Sequence, residues 1–439
     1  MTPRGIYIET YGCQMNVSDS ELMLGLLARE GYTQVDSPAA ADVLLVNTCA
    51  VRDHAEQRVL SRMGELKTFK RPGGVLGVVG CMAQRLGPRL LERVPQVDLV
   101  VGPDGYRNLP ELIARAALGA RAADVEFRGW EHYEDVPPAR GDRTSAFVTV
   151  QRGCDYRCTF CIVPMTRGPE RSRMLSDVVR EVAALAAAGT SEVTLLGQTV
   201  NSYHDGTHDF AALLRAVGAV AGIRRVRFTS PYPTDFTEPV VRAMAETPAV
   251  CEHVHLPVQS GSNAVLKRML RRYSRERYLE VVRELRDGVP GITFTTDIIV
   301  GFPGETEADF QQTLDLVGAA GFDDAYTFKY SPREGTPAVR IRDAVSDDVA
   351  GERLERLVAV VRAQARRRNV ALVGTTHEVL VEGMAKRGGL LQARTRTNKV
   401  VLVEGPESWI GTYTRVRLTG TTGSTFTGWP VEREFAVVG

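Results

Sequence analysis

Gly153-Cys-Asp-Tyr-Arg-Cys-Thr-Phe-Cys161 places three of the chain's seven cysteines on one short loop. The loop follows an apolar segment, Ala146 to Gln151, which opens a long series of similar segments. Strands are predicted at Ala146–Gln151, Glu192–Leu196, Arg225–Thr229, His253–Pro257, Phe294–Val300 and Ala325–Tyr330. Helical patterns intervene at about Ser176–Ala188, Phe210–Val220, Glu238–Ala245, Ser274–Arg286 and Glu307–Ala319. Six βα units in succession predict a partial (β/α)6 barrel, with its site at the carboxyl ends of the strands. The cysteine loop stands at that mouth. Its C-x3-C-x2-C spacing suits three irons of a cubane cluster and leaves the fourth iron open, whereas a set of four cysteines closes a cluster for electron transfer. Structural zinc is the second reading, although zinc sites usually add a distant second Cys pair and none is present. Unligated core cysteines are the third.

Upstream, Gly5–Thr10, Asp42–Asn47, Gly74–Gly80 and Val97–Val101 read as short strands buried on both faces. Ser20–Glu30 and His54–Lys67 read as crossover helices. This rhythm predicts an α/β domain with a doubly wound parallel sheet. Cys13, Cys49 and Cys81 each fall one to three residues after a strand, 36 and 32 residues apart. Parallel strands align their carboxyl ends on the edge where open α/β sheets bind ligands. The three can therefore converge as a second three-thiolate set. The alternative is three small buried residues at crowded strand ends. The expected boundaries are 4–120 for this domain, 121–142 for a linker, 143–370 for the barrel domain and 371–438 for a final domain. The linker carries Trp130, His132, Tyr133 and Pro137-Pro138.

Beyond a long helix at about Ser346–Val370, alternating strands at Glu378–Glu382, Leu391–Arg396, Lys399–Glu404, Tyr413–Leu418 and Phe426–Val438 predict a small antiparallel β-barrel. A hydrophobic content of 44% and a charged content of 24% are those of a globular protein. No stretch reaches the roughly 18 unbroken apolar residues of a membrane span. The N-terminus lacks a signal peptide's apolar core, so a cytoplasmic protein is expected. Seven cysteines in 439 residues do not suggest a disulfide scaffold. A net charge of +1 excludes a uniformly basic surface, so any nucleic acid must be held by local patches. Basic runs occur at Lys267–Arg277, Arg362–Arg368 and Lys386-Arg387. Arg394 and Arg396 alternate with threonines on one strand and share a face, with Lys399 close by.

Three further stretches follow strands of the barrel: Leu196-Gly-Gln198-Thr-Val-Asn201, Val258-Gln259-Ser260-Gly-Ser262 and Val300-Gly-Phe-Pro-Gly-Glu-Thr306. Thr306 and Asp309 form a helix capping box in the last. Each stretch is also an ordinary strand–helix turn, and their shared position after successive strands is what suggests a ligand.

Arg152-Gly-Cys-Asp-Tyr-Arg-Cys-Thr-Phe-Cys-Ile-Val-Pro164 resembles the cluster loop of radical S-adenosylmethionine (SAM) enzymes. The whole chain, from residue 5 to 437, resembles the methylthiotransferases, which join a cluster domain, a radical SAM barrel and a TRAM domain. Thr10-Tyr-Gly-Cys-Gln-Met-Asn16, Asn47-Thr-Cys-Ala-Val-Arg52 and Arg394-Thr-Arg-Thr-Asn-Lys-Val400 look like the tRNA-modifying branch. Met165, where relatives often carry an aromatic residue, and a short loop from Met384 to Leu391 depart from that pattern. The resemblance implies two 4Fe-4S clusters, one on Cys154, Cys158 and Cys161 that cleaves SAM to a radical, and one on Cys13, Cys49 and Cys81 that carries the sulfur. It also implies methylthiolation at carbon 2 of isopentenyladenosine at position 37 of tRNA. Candidate SAM contacts are Phe160, Gln198, Asn201, Gln259 and Ser260, and candidate RNA contacts are Arg394, Arg396 and Lys399. A flavodoxin- or ferredoxin-type electron donor and a monomeric chain are expected. Alternatives within the architecture are threonylcarbamoyladenosine in tRNA or a ribosomal-protein aspartate. Outside it stand a two-cluster electron carrier or redox sensor and an RNA-binding module with structural zinc.

Overall fold

A computed structural model describes residues 4–50, 53–141, 144–386 and 388–432. Arg52, Asp142, Arg387 and the continuation of the last strand to Val438 lie outside these residues.

The N-terminal sheet has six strands: β1 (Arg4–Tyr11), β2 (Tyr32–Gln34), β3 (Val43–Thr48), β4 (Val75–Gly80), β5 (Leu99–Val101) and β6 (Ala122–Asp124). Their order is β2-β1-β3-β4-β5-β6, and every pairing is parallel. The chain winds one way from β1 to β2 and the other way from β3 to β6, so a topological switch point lies between β1 and β3, where such sheets bind ligands. Strands β3 and β4 are buried along their whole length, as apolar runs covered on both faces must be. Leu22, Met23 and Leu27 pack on one face, and Val59, Met63 and Leu66 on the other. β6 occupies the start of the expected linker.

The central domain contains β7 (Ser145–Thr149), a short antiparallel pair β8 (Gln151–Arg152) and β9 (Arg171–Ser172), then β10 (Glu192–Leu196), β11 (Arg225–Phe228), β12 (His253–His255), β13 (Thr293–Val300) and β14 (Asp324–Lys329). β7, β10 and β11 form one parallel sheet and β12 to β14 another. A single parallel bridge between Val226 and Val250 joins them into a curved wall. Helices Leu175–Ala187, Phe210–Gly218, Glu238–Glu246, Arg275–Gly288 and Glu307–Ala320 cover its outer surface. Thr306 caps the last: its Oγ1 accepts from the Asp309 amide at 3.2 Å, and the Asp309 carboxylate accepts from the Thr306 amide at 2.9 Å.

After the helix Asp347–Val370, five strands close a small barrel: β15 (Thr376–Met384), β16 (Leu391–Thr395), β17 (Val400–Val403), β18 (Tyr413–Thr421) and β19 (Thr425–Glu432). All contacts are antiparallel except β17 with β19. The expected small antiparallel barrel is present, and its one parallel pair follows from closure, since a closed ring with an odd number of strands must contain one. This barrel seals the amino-terminal end of the central wall. Arg225 Nη1 donates to the Arg394 carbonyl at 2.8 Å, and Arg227 donates to the carbonyls of Thr395 and Arg396 at 2.8 and 2.9 Å. No helix among the described residues is long and apolar enough to cross a membrane.

Candidate active site

Cys13, Cys49 and Cys81 follow β1, β3 and β4, three adjacent strands spanning the switch point. Cys13 is exposed, and the other two are buried. Cys13 caps the helix Gln14–Arg29, with its Sγ 3.4 Å from Asn16 Oδ1. Asn16 and Asn47, both fully buried, lock the first two strand ends together: Asn16 Nδ2 donates to Asn47 Oδ1 at 3.2 Å, and Asn47 Nδ2 to the Asn16 carbonyl at 2.7 Å. Gly80 turns the chain into Cys81 at φ 92°, where a Cβ would stand 2.4 Å from Asn47 Oδ1. A hydrogen bond with Cys49 brings the Cys13 thiol down to about 6, assisted by the positive charge of Arg167. Burial pushes the Cys81 thiol up, against the pull of Arg167.

The second trio lies on one loop at the mouth of the barrel. Gly153 takes φ 77°, and a Cβ there would meet the Pro169 carbonyl at 1.9 Å, so only glycine lets the loop start this close to its return strand. The loop is pinned by the Cys154 amide on the Gly168 carbonyl (3.1 Å) and the Thr159 amide on the Met269 carbonyl (3.0 Å). Burial raises the Cys154 thiol to about 11 and the Cys161 thiol to about 12. Arg271, stacked against the Tyr232 and Tyr273 rings, donates from Nη1 to Cys158 Sγ at 3.3 Å.

One buried network joins the two trios. Arg167, on the helix leaving the cluster loop, donates from Nε to Cys81 Sγ at 3.1 Å and pairs with Asp19 at 2.7 Å. Arg152, immediately before the loop, donates to the other oxygen of Asp19 at 3.1 Å. Burial alone would raise the Asp19 carboxyl, but the two guanidiniums outweigh it and hold the group below the usual carboxylate range. Ile162, next to Cys161, packs on Cys81 and Ala50. The network therefore ties Cys81 to both flanks of the Cys154–Cys161 loop. No group of three His, Cys, Asp or Glu side chains among the described residues forms a ready-made metal site. The donor set nevertheless suits iron–sulfur ligation: each trio supplies three thiols and one arginine hydrogen-bonded to a sulfur, the arrangement that offsets cluster charge.

The mouth residues anticipated as SAM contacts fall into two groups. Asn201 and Ser260 are occupied by the fold. Asn201 exchanges hydrogen bonds with the Tyr232 backbone at 2.7 and 2.9 Å, and Ser260 lies 3.4 Å from Thr313 Oγ1 with no exposed surface. Gln198 is half-buried, and its Oε1 has no partner. Gln259 sits at φ 69° between Asp297 and Ile299. Phe160 packs edge-on to Phe302 at 6.4 Å. Glu170 was missed. It accepts from Thr199 Oγ1 at 2.9 Å and Ser202 Oγ at 2.8 Å beside Cys154, and burial raises its carboxyl. Its only sequence signal is a Gly-Pro-Glu turn shortly after the last cysteine of the loop.

Arg394, Arg396 and Lys399 each meet a carboxylate. Arg394 pairs with Glu382, Arg396 with Glu252 at 2.7 Å, and Lys399 with Asp323 at 3.2 Å. The last two partners belong to the central domain, so Arg396 and Lys399 pair across the junction, whereas Arg394 pairs within the small barrel. The outward face of the small barrel instead pairs Arg417 across strands with Trp429, which is 61% exposed.

Family models match three stretches: one described as uncharacterized protein family UPF0004 at residues 5–102, the radical SAM superfamily at 148–317 and the TRAM domain at 370–428. The chain is 46% identical to the tRNA-2-methylthio-N(6)-dimethylallyladenosine synthase of Alkalilimnicola ehrlichii over 95% of each protein. It is 47% identical to that of Geobacter sulfurreducens over 94% of each. In fold it is similar to the radical S-adenosylmethionine methyltransferase TsrM from Kitasatospora setae, at 16% identity with a TM-score of 0.59 over 77% of each chain. It is also similar to the cobalamin-dependent S-adenosylmethionine radical enzyme OxsB, at 13% identity with a TM-score of 0.53 over 82% of this chain and 56% of that one.

Proposed function

Since the chain belongs to the family of tRNA-2-methylthio-N(6)-dimethylallyladenosine synthases, we propose that it methylthiolates carbon 2 of isopentenyladenosine at position 37 of tRNA, next to the anticodon. The carrying observation is the junction itself, where one buried carboxylate, Asp19, meets guanidiniums on both flanks of the Cys154–Cys161 loop, and one of these also reaches Cys81. In this reading Cys154, Cys158 and Cys161 hold one 4Fe-4S cluster and Cys13, Cys49 and Cys81 hold another. With SAM bound, the first supplies one-electron cleavage for attack on an unactivated carbon–hydrogen bond, and the second supplies sulfur.

The chain's own part is positioning and exclusion of water. Asn16 and Asn47 fix the donor thiols. Arg167 and Arg271 offset charge on one sulfur in each trio. Gln198, with its free amide oxygen, Gln259 and Phe160 border the SAM position, while Asn201 and Ser260 shape the loops that carry them. Arg396 and Lys399 serve RNA binding by tying the small barrel to the central domain, Arg394 stands beside Glu382 within the small barrel at the same edge, and the Arg417–Trp429 face meets the RNA. The target base leaves its stack to reach the junction, as base chemistry requires. A small electron-carrier protein of flavodoxin or ferredoxin type delivers electrons to the monomeric enzyme. Mass spectrometry of tRNA nucleosides from a deletion strain tests the reading: the 2-methylthio derivative disappears and N6-dimethylallyladenosine accumulates. Retention of the methylthio derivative overturns it.

A further inference from the structure

The strands β12, β13 and β14 present two unlike faces. On one, Val254, Phe294, Ile298 and Val300 are fully buried toward the helices, and Lys329 of β14 pairs on that side with Asp347 of the helix Asp347–Val370. Strand alternation sends their neighbours into the barrel. This inner wall carries His255, Asp297, Ile299, Tyr326 and Phe328. Cross-strand register sets Tyr326 beside Asp297 and Phe328 beside Ile299.

Two of these residues are out of place for an interior. Tyr326 is 62% and Phe328 40% exposed. They lie two residues apart on one face, which spaces the rings by about 7 Å. Among the described residues no strand pairs with the far edge of β14, so the rings border the open flank of the wall. The patch is continuous with the site: Ile299 joins the apolar cluster that holds Phe160 of the cysteine loop. His255 meets the Tyr326 ring edge-on at 5.7 Å, and its Nε2 lies 3.3 Å from the Asp297 carboxylate. No lysine or arginine projects from the described residues of this wall.

We infer that Tyr326 and Phe328 form the subsite for the hydrocarbon group on N6 of the target adenine. The inference rests on the functional reading above and deepens it. Two aromatic rings beside the cysteine loop offer an apolar bed for a branched five-carbon chain. Asp297 faces the same space and repels the carboxylate of a threonylcarbamoyl group, and the described inner-face residues of β12, β13 and β14 include no lysine or arginine to offset it. The wall thus selects one N6 substituent over the other.

The test measures binding of full-length, anaerobically purified protein to short anticodon stem-loop RNAs. These carry N6-dimethylallyladenosine, N6-threonylcarbamoyladenosine or adenosine at the target position. Wild-type protein prefers the dimethylallyl RNA over the adenosine RNA by about tenfold, the lower end of what apolar pockets yield for small hydrocarbon differences. The double variant Tyr326→Ser, Phe328→Ser loses that preference and keeps its affinity for the adenosine RNA. Phe328→Leu, which preserves apolar bulk, retains the preference and controls for folding. A double variant that still favours the dimethylallyl RNA as wild type does overturns the subsite while leaving the functional reading intact. A wild type that favours the threonylcarbamoyl RNA overturns both.

Discussion

Both ends of the central barrel are closed by another domain, and both closures use arginine, yet the guanidiniums find different partners. At the base, Arg225 and Arg227 donate largely to backbone carbonyls of the small barrel, with Glu192 and Glu378 as further partners. Carbonyls survive most side-chain changes, and several bonds share the load. At the mouth, Arg152 and Arg167 converge on a single side chain, Asp19, which has no exposed surface. Removing it leaves two buried cations short of their counter-charge. A seam meant only to hold is built with redundancy. The seam at the mouth has further contacts, Arg171 with Asp104 and Ser18 with Thr149 at 2.9 Å, but the link that sets Cys81 against the cysteine loop centres on Asp19.

That contrast orders the expected outcomes. Cys158→Ala at the mouth abolishes formation of 5′-deoxyadenosine from SAM, while Cys49→Ala retains SAM cleavage and loses the methylthio product. Normal tRNA modification by the Cys49 variant breaks the division of labour between the trios. Asp19→Ala costs about 3–5 kcal/mol, as breaking a buried ion pair does, read as a fall in the denaturation midpoint. Trp429→Ala weakens tRNA binding by about 1–3 kcal/mol, the usual worth of one base stacked on an aromatic ring, without changing SAM cleavage. At the base, Glu252→Gln removes a half-exposed partner of Arg396, which keeps its bonds to the Pro248 and Val250 carbonyls at 3.0 and 2.7 Å. The loss is about 0–1 kcal/mol. Equal losses for Asp19→Ala and Glu252→Gln, measured in the same melts, remove the asymmetry between the two seams.

The elements most legible in the sequence are those fixed by local pattern. β10 matches its apolar run residue for residue, and β3, β4 and β13 differ from expectation by a residue or so at their ends. Their burial on both faces, or against helices, leaves little choice of residue. β2 and β6 escaped notice because each is three residues long and largely unburied, so neither carries an apolar signature. Cys154, Cys158 and Cys161 declare themselves by spacing, whereas Cys13, Cys49 and Cys81 needed the argument from aligned strand ends. Arg167 gave no signal, since its partners Asp19 and Cys81 are distant in the chain. Arg394, Arg396 and Lys399 gave an incomplete one: charge is visible in a sequence, but the carboxylate each one meets is not. Tyr326 and Phe328 alternate like core residues and differ only in that their side of the wall is open.

Because Arg152 enters the cysteine loop and Arg167 leaves it, Asp19 acts as a clasp holding both ends of a hairpin that belongs to a different domain. A barrel cut free of its N-terminal partner loses that clasp, and the two arginines lose their shared counter-ion. The behaviour of such a fragment, including any failure to cleave SAM, describes an unfastened loop rather than the cysteines it carries.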